Sequence, residues 1–120
     1  MATFRTIVHD IKASIAFYQS LGFSLQDHYG PAMAIMTRAD LTLWLAGPKA
    51  SASKPMPDGA QPRPGGWNRI VLTVPDLPQT VATLRASGAT FRNDILSSPG
   101  GSQILLNDPS GNVIELFQPC

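Results

Sequence analysis

Laid over itself so that Asp10 meets Asp76, this chain repeats. The same shift puts Val8 on Val74, Ala16 on Ala82 and Gly22 on Gly88. Four identities carry little weight alone, but the pattern around them repeats too. Thr3–Val8 and Arg69–Val74 are β-prone stretches. Each is followed by an aspartate able to cap a helix. Apolar residues come next at helical spacing: Ile11, Ile15, Phe17, Tyr18 and Leu21 in one copy, and Leu77, Val81 and Leu84 in the other. A glycine stops each helix at the same distance from its cap, Gly22 after Asp10 and Gly88 after Asp76. A repeat of this size means that one supersecondary block is built twice.

Strand signals complete each block. The first half offers Ser24–Tyr29, Ala32–Thr37 and Leu41–Ala46, with turns at Gly30-Pro31 and Ala39-Asp40. The second offers Thr90–Asn93, Ser102–Asn107 and Val113–Gln118, with a loop at Ser97–Gly101. Asp108-Pro109-Ser110-Gly111 makes a tight turn, proline presetting φ and glycine free to take a positive one. Each half therefore reads βαβββ. The expected organisation is a first module over 1–47, a Pro/Gly-rich segment over 48–66 and a second module over 67–120. That segment holds five prolines and three glycines, so neither a helix nor a central strand is expected in it. It reads as an inter-module linker or, in a sharper reading, as a lid over a pocket. With 120 residues, 43% of them hydrophobic, the two halves suit one compact domain of the α+β class.

Charge and composition exclude several classes. Nine basic residues against eight acidic ones leave a net +1 and no basic stripe, so a nucleic-acid partner is not expected. No apolar run is long enough to span a bilayer, and MATFRTIVHD lacks a signal-peptide pattern, so no membrane partner is expected. The one cysteine, Cys120, permits no internal disulfide and fits a reducing cytoplasm. No nucleophile-elbow serine or phosphate-binding loop is present.

Two stretches carry a family resemblance. VHDIKASIAFYQSLGF, Val8 to Phe23, and DPSGNVIELFQP, Asp108 to Pro119, resemble the vicinal oxygen chelate superfamily, which includes glyoxalases, extradiol dioxygenases, fosfomycin-modifying enzymes and bleomycin-resistance proteins. The resemblance covers essentially the whole chain. It implies two βαβββ modules related by a pseudo-twofold, with curled mixed sheets forming a cup. It also implies a homodimer, since small relatives commonly pair.

In metal-using members, each module supplies a His early in its first strand and a Glu in its last. By this resemblance Glu115 stands at the second Glu position, Arg69 at the second His position and Thr3 at the first. The first Glu position falls on Thr42 in one register and on Trp44 in another. At most one of four ligands is kept, and a catalytic metal needs about three. Arginine has no lone pair to give. No metal or other cofactor is therefore expected. His9 and His28 read as surface or turn histidines rather than substitute ligands.

Glu115, placed between Ile114 and Leu116, needs a partner. Arg69 is the expected one, on a neighbouring strand and facing the cup. Either the pair only satisfies itself, or Arg69 also receives an anionic or carbonyl oxygen of a ligand, or the pair is simply solvated. By strand parity Arg5, Ile7, Thr42, Trp44, Val71, Thr73 and Phe117 join them on the inner faces as candidate ligand-binding residues, and the resemblance adds Thr3. Trp44 suits a planar ligand or, equally, a core position. Two functions stand: a metal-independent small-molecule binding protein, or a glyoxalase-type lyase, isomerase or dioxygenase with an atypical site. In the second, Glu115 would be the catalytic acid–base. Bleomycin is not the expected ligand, because a cationic drug favours an acidic groove.

Overall fold

The computed structural model describes residues 2–120. The chain divides into two compact units, the first ending at Gly65 and the second starting at Gly66.

In the first unit, β1 (Ala2–Ile7) leads through α1 (Ile11–Ser20) to β2 (Ser24–Tyr29), β3 (Met33–Arg38) and β4 (Leu41–Ala46). The sheet order is β1-β4-β3-β2, with β1 parallel to β4 and the other pairs antiparallel. Asp10 caps α1, its Oδ1 accepting from Ala13 N at 3.1 Å. Gly22 ends it at φ 90°, a conformation that glycine adopts without strain. Tyr18, Leu43, Leu45 and Met36 are fully buried where α1 covers one face of this sheet. The alternation of Leu43 and Leu45 with Thr42 and Trp44 puts the latter two on the opposite face.

The second unit repeats the plan. It runs β5 (Arg69–Thr73), α2 (Leu77–Ala86), β6 (Thr90–Phe91), β7 (Leu96–Ser98), β8 (Gly101–Asn107) and β9 (Val113–Pro119). The order is β5-β9-β8-β6, with β7 also pairing β8. β5 and β9 are parallel; the others are antiparallel. Asp76 caps α2 through Gln79 N at 3.1 Å, and Gly88 ends it at φ 92°. Leu77, Leu116, Ile114, Ile104 and Leu106 form its core.

One local expectation changes. The stretch expected as a loop, Ser97–Gly101, is a hairpin, because Ser97 and Ser98 pair with Ser102 and Gly101 across Pro99-Gly100. The Pro/Gly-rich segment is ordered onto the first unit. It carries a single 3-10 turn at Ser51–Ser53, and Ser53 Oγ donates to Gly47 O at 2.7 Å. Gln61 Nε2 donates to Ser53 O at 2.7 Å. Among the described residues no helix is long and apolar enough to cross a membrane.

Candidate functional site on the open sheet faces

Each sheet has one face covered by a helix and one left open. The open faces hold the candidate residues, and strand pairing sorts them into rows.

In the first unit, Thr3 pairs Thr42, Arg5 pairs Trp44 and Ile7 pairs Ala46. Trp44 also pairs Ile35 across β3. Arg5 lies over the Trp44 ring, its guanidinium carbon 4.8 Å from the centroid. That is cation–π distance. Thr42 is buried, and Trp44 and Ile7 are half-buried. Met36 lies in the helix-covered core.

In the second unit, Val71 pairs Glu115 and Thr73 pairs Phe117. Arg69 sits one pleat before Val71 on the same face and reaches diagonally to the carboxylate. Its Nη1 donates to Glu115 Oε1 at 2.9 Å. The Gln103 side-chain amide lies against the carboxylate; with its nitrogen assigned to that side, the orientation that pairs donor with acceptor, it donates to both Glu115 oxygens at 3.1 Å each. Glu115 is therefore held from both sides, by β5 and by β8. Its side chain is 13% exposed and that of Arg69 is 38% exposed. The guanidinium keeps N–H donors that Glu115 does not use, within reach of solvent. Val71 and Thr73 are exposed on the same face and Phe117 is half-buried.

The turn before β9 sets this register. Asp108 Oδ1 accepts from Ser110 N at 2.9 Å and from Asn112 N at 2.8 Å, while Oδ2 accepts from Asn112 Nδ2 at 2.9 Å. Gly111 takes φ 86°. Gln118 Oε1, further along β9, accepts from Leu77 N at 2.6 Å and ties the strand to the start of α2. The DPSGN stretch thus aims Glu115 onto the open face and the flanking Ile114 and Leu116 into the core.

Pairing also resolves the two registers left open by the sequence. Thr3 opposes Thr42 and Arg69 opposes Val113, so Trp44 is the first-unit counterpart of Glu115. Gln103 was not among the expected site residues. Its parity on β8, opposite to that of Ile104, was the available signal.

The donor set does not fit a divalent ion. Thr3, Trp44 and Arg69 offer no imidazole, carboxylate or thiolate, and the remaining position, Glu115, holds a guanidinium and an amide. Among the described residues, no group of three or more His, Cys, Asp or Glu side chains is placed to hold a metal.

Residues 1–116 match the model of the Glyoxalase/Bleomycin resistance protein/Dioxygenase superfamily. The chain belongs to this superfamily. Solved structures of the glyoxalase fold superpose along nearly the whole chain. TnmS3, an antibiotic binding protein from Streptomyces sp. CB03234, is 27% identical with a TM-score of 0.74, over 98% of this chain and 93% of that one. A glyoxalase/bleomycin resistance protein/dioxygenase superfamily member from Sphaerobacter thermophilus DSM 20745 is 26% identical with a TM-score of 0.76, over 98% and 95%. Lactoylglutathione lyase from Agrobacterium tumefaciens shares the fold at 18% identity and a TM-score of 0.77, over 98% and 92%. A search of curated proteins found no match. Superfamily membership fixes the fold; the open-face residues decide what this member can do.

Proposed function

We propose that this superfamily member binds a small organic molecule on its open sheet faces without using a catalytic metal. The observation that carries the reading is the grip of Arg69 and Gln103 on Glu115. The carboxylate that a metal would need is committed to two donors, and the site presents a partly exposed guanidinium instead. A guanidinium with unused N–H groups suits a carbonyl or carboxylate oxygen. On the first unit, the Arg5–Trp44 stack offers a surface for a planar ring. The likeness to an antibiotic binding protein at 27% identity supports capture rather than turnover. The homodimer and the cytoplasmic setting expected from sequence belong to the same proposal; a monomer mass by light scattering at micromolar concentration would count against the dimer.

The test is a melting-shift screen of aromatic carbonyl and carboxylate compounds, because binding to the native state alone raises apparent stability. Hits should lose affinity in Arg69→Ala by about 10- to 150-fold, the loss of one charge-assisted hydrogen bond. Metal analysis of protein purified without chelator is the second arm. A stoichiometric divalent ion that disappears in Glu115→Gln would overturn the reading.

A further inference from the structure

The chain has two histidines, and the structure brings both to one cleft of the first unit. The cleft, of about 460 Å³, lies where the start of α1, the β2–β3 turn and the segment after β4 come together. Its polar lining includes two histidines, His9 and His28, and two ammonium groups, Lys12 and Lys49. The single carboxylate in that lining, Asp10, is turned to the helix, where its Oδ1 accepts from Ala13 N at 3.1 Å. Neither lysine takes part in the ion pairs Arg69–Glu115 and Arg85–Asp94. Ile11 and Pro48 supply an apolar wall. An adjoining cleft of about 250 Å³ shares His9 and Pro48 and adds Arg63.

Two ammonium groups facing one cleft, against a single carboxylate turned to cap the helix, raise the local potential and attract anions. Two imidazoles could invite a metal ion, but the flanking ammonium groups repel a cation, and among the described residues His9, His28 and Asp10 are not grouped so as to hold one. A small hydrated anion would use the lysines and leave the apolar wall idle. An anion carrying an apolar body uses both.

We propose that this cleft is a second binding site, separate from the open sheet faces, for a small organic anion: an apolar body bearing a phosphate or carboxylate group. Lys12 and Lys49 supply charge, His28 supplies a ring N–H donor, Ile11 and Pro48 receive the body, and His9 lines the same cleft. The site needs no residue of the Arg69–Glu115 face.

The experiment follows the imidazole resonances of His9 and His28 by NMR while phenyl phosphate, benzoate or inorganic phosphate is titrated into the full chain. Phenyl phosphate or benzoate should move both imidazoles saturably. Inorganic phosphate should bind at least about tenfold more weakly, having no apolar surface to bury. The double variant Lys12→Glu, Lys49→Glu changes two exposed side chains, so it should melt like wild type. It should nonetheless bind phenyl phosphate at least about tenfold more weakly, since a like charge now faces the anion. Absence of a saturable imidazole response to both organic anions overturns the proposal. So does a response that the folded double variant retains in full. Equal binding of inorganic and phenyl phosphate overturns the role of the apolar wall.

Discussion

The two units differ little where a helix covers the sheet and greatly where none does. Their helical scaffolds repeat almost bond for bond. Ser14 Oγ donates to Asp10 O at 2.7 Å, and its counterpart in the second unit, Thr80 Oγ1, donates to Asp76 O at 2.8 Å. Phe23 N reaches Tyr18 O at 3.0 Å, and Ala89 N reaches Leu84 O at 3.0 Å. On the open faces the correspondence ends. Trp44 stands where the other unit has Glu115, and each is met by an arginine from the first strand of its unit. Arg5 stacks on the indole from the neighbouring position; Arg69 pairs with the carboxylate from one pleat away. The covered face must fill space at core density, so its residues are held close to one solution. The open face carries no such demand and is free to diverge toward chemistry.

The comparison can be broken most severely in the cores. Leu45 and Leu116 occupy equivalent strand positions and are 0% and 1% exposed. Leu45→Ala and Leu116→Ala should each lower stability by about 2–5 kcal/mol, measured by urea denaturation. If one of them costs little, the two cores are not equivalent. The helix caps come next. Asp10→Ala and Asp76→Ala should each cost about 1 kcal/mol, and near-equal values would confirm that the repeat extends to energetics.

The open faces should respond more weakly and differently from each other. A double-mutant cycle over Arg69→Ala and Glu115→Gln should give a coupling of about 0.5–1 kcal/mol, discounted because the Arg69 side chain is more than a third exposed. Zero coupling would mean that the pair is solvated and that Gln103 alone orients the carboxylate. Smallest is the stack on the first unit. Arg5→Ala should cost about 0.5 kcal/mol and alter the fluorescence of Trp44. The Arg92 side chain lies over the other tryptophan, Trp67, at 4.5 Å, so Trp67→Phe is the background in which to read that signal.

Local signals made most of the fold legible. Caps, helical periodicity and stop glycines act within one or two turns of chain, so Asp10, Gly22, Asp76 and Gly88 announce both helices. Strand parity likewise assigned Thr42, Trp44, Val71, Thr73 and Phe117 to open faces. The hairpin through Pro99-Gly100 was hidden because Ser97 and Ser98 carry no β signal and owe their pairing to β8.

The sequence by itself determined the repeat, the two helices, the strand faces and the neighbourhood of Arg69 and Glu115, since all of these follow from short-range periodicity and from one shift. Tertiary structure decided what lies across a gap. The shift that carries Asp10 to Asp76 would carry Thr42 to Asp108, in the turn, whereas the strand ladders match Thr42 with Val113. The second unit is longer between its helix and its last strand, so only those ladders could show that Trp44 is the counterpart of Glu115. The grip of Gln103 on Glu115 depends on the register of β8 against β9. The placing of His9 and His28 on one cleft depends on the β2–β3 turn folding beside the start of α1. Register and loop packing join residues far apart in the chain, and no local pattern encodes those distances.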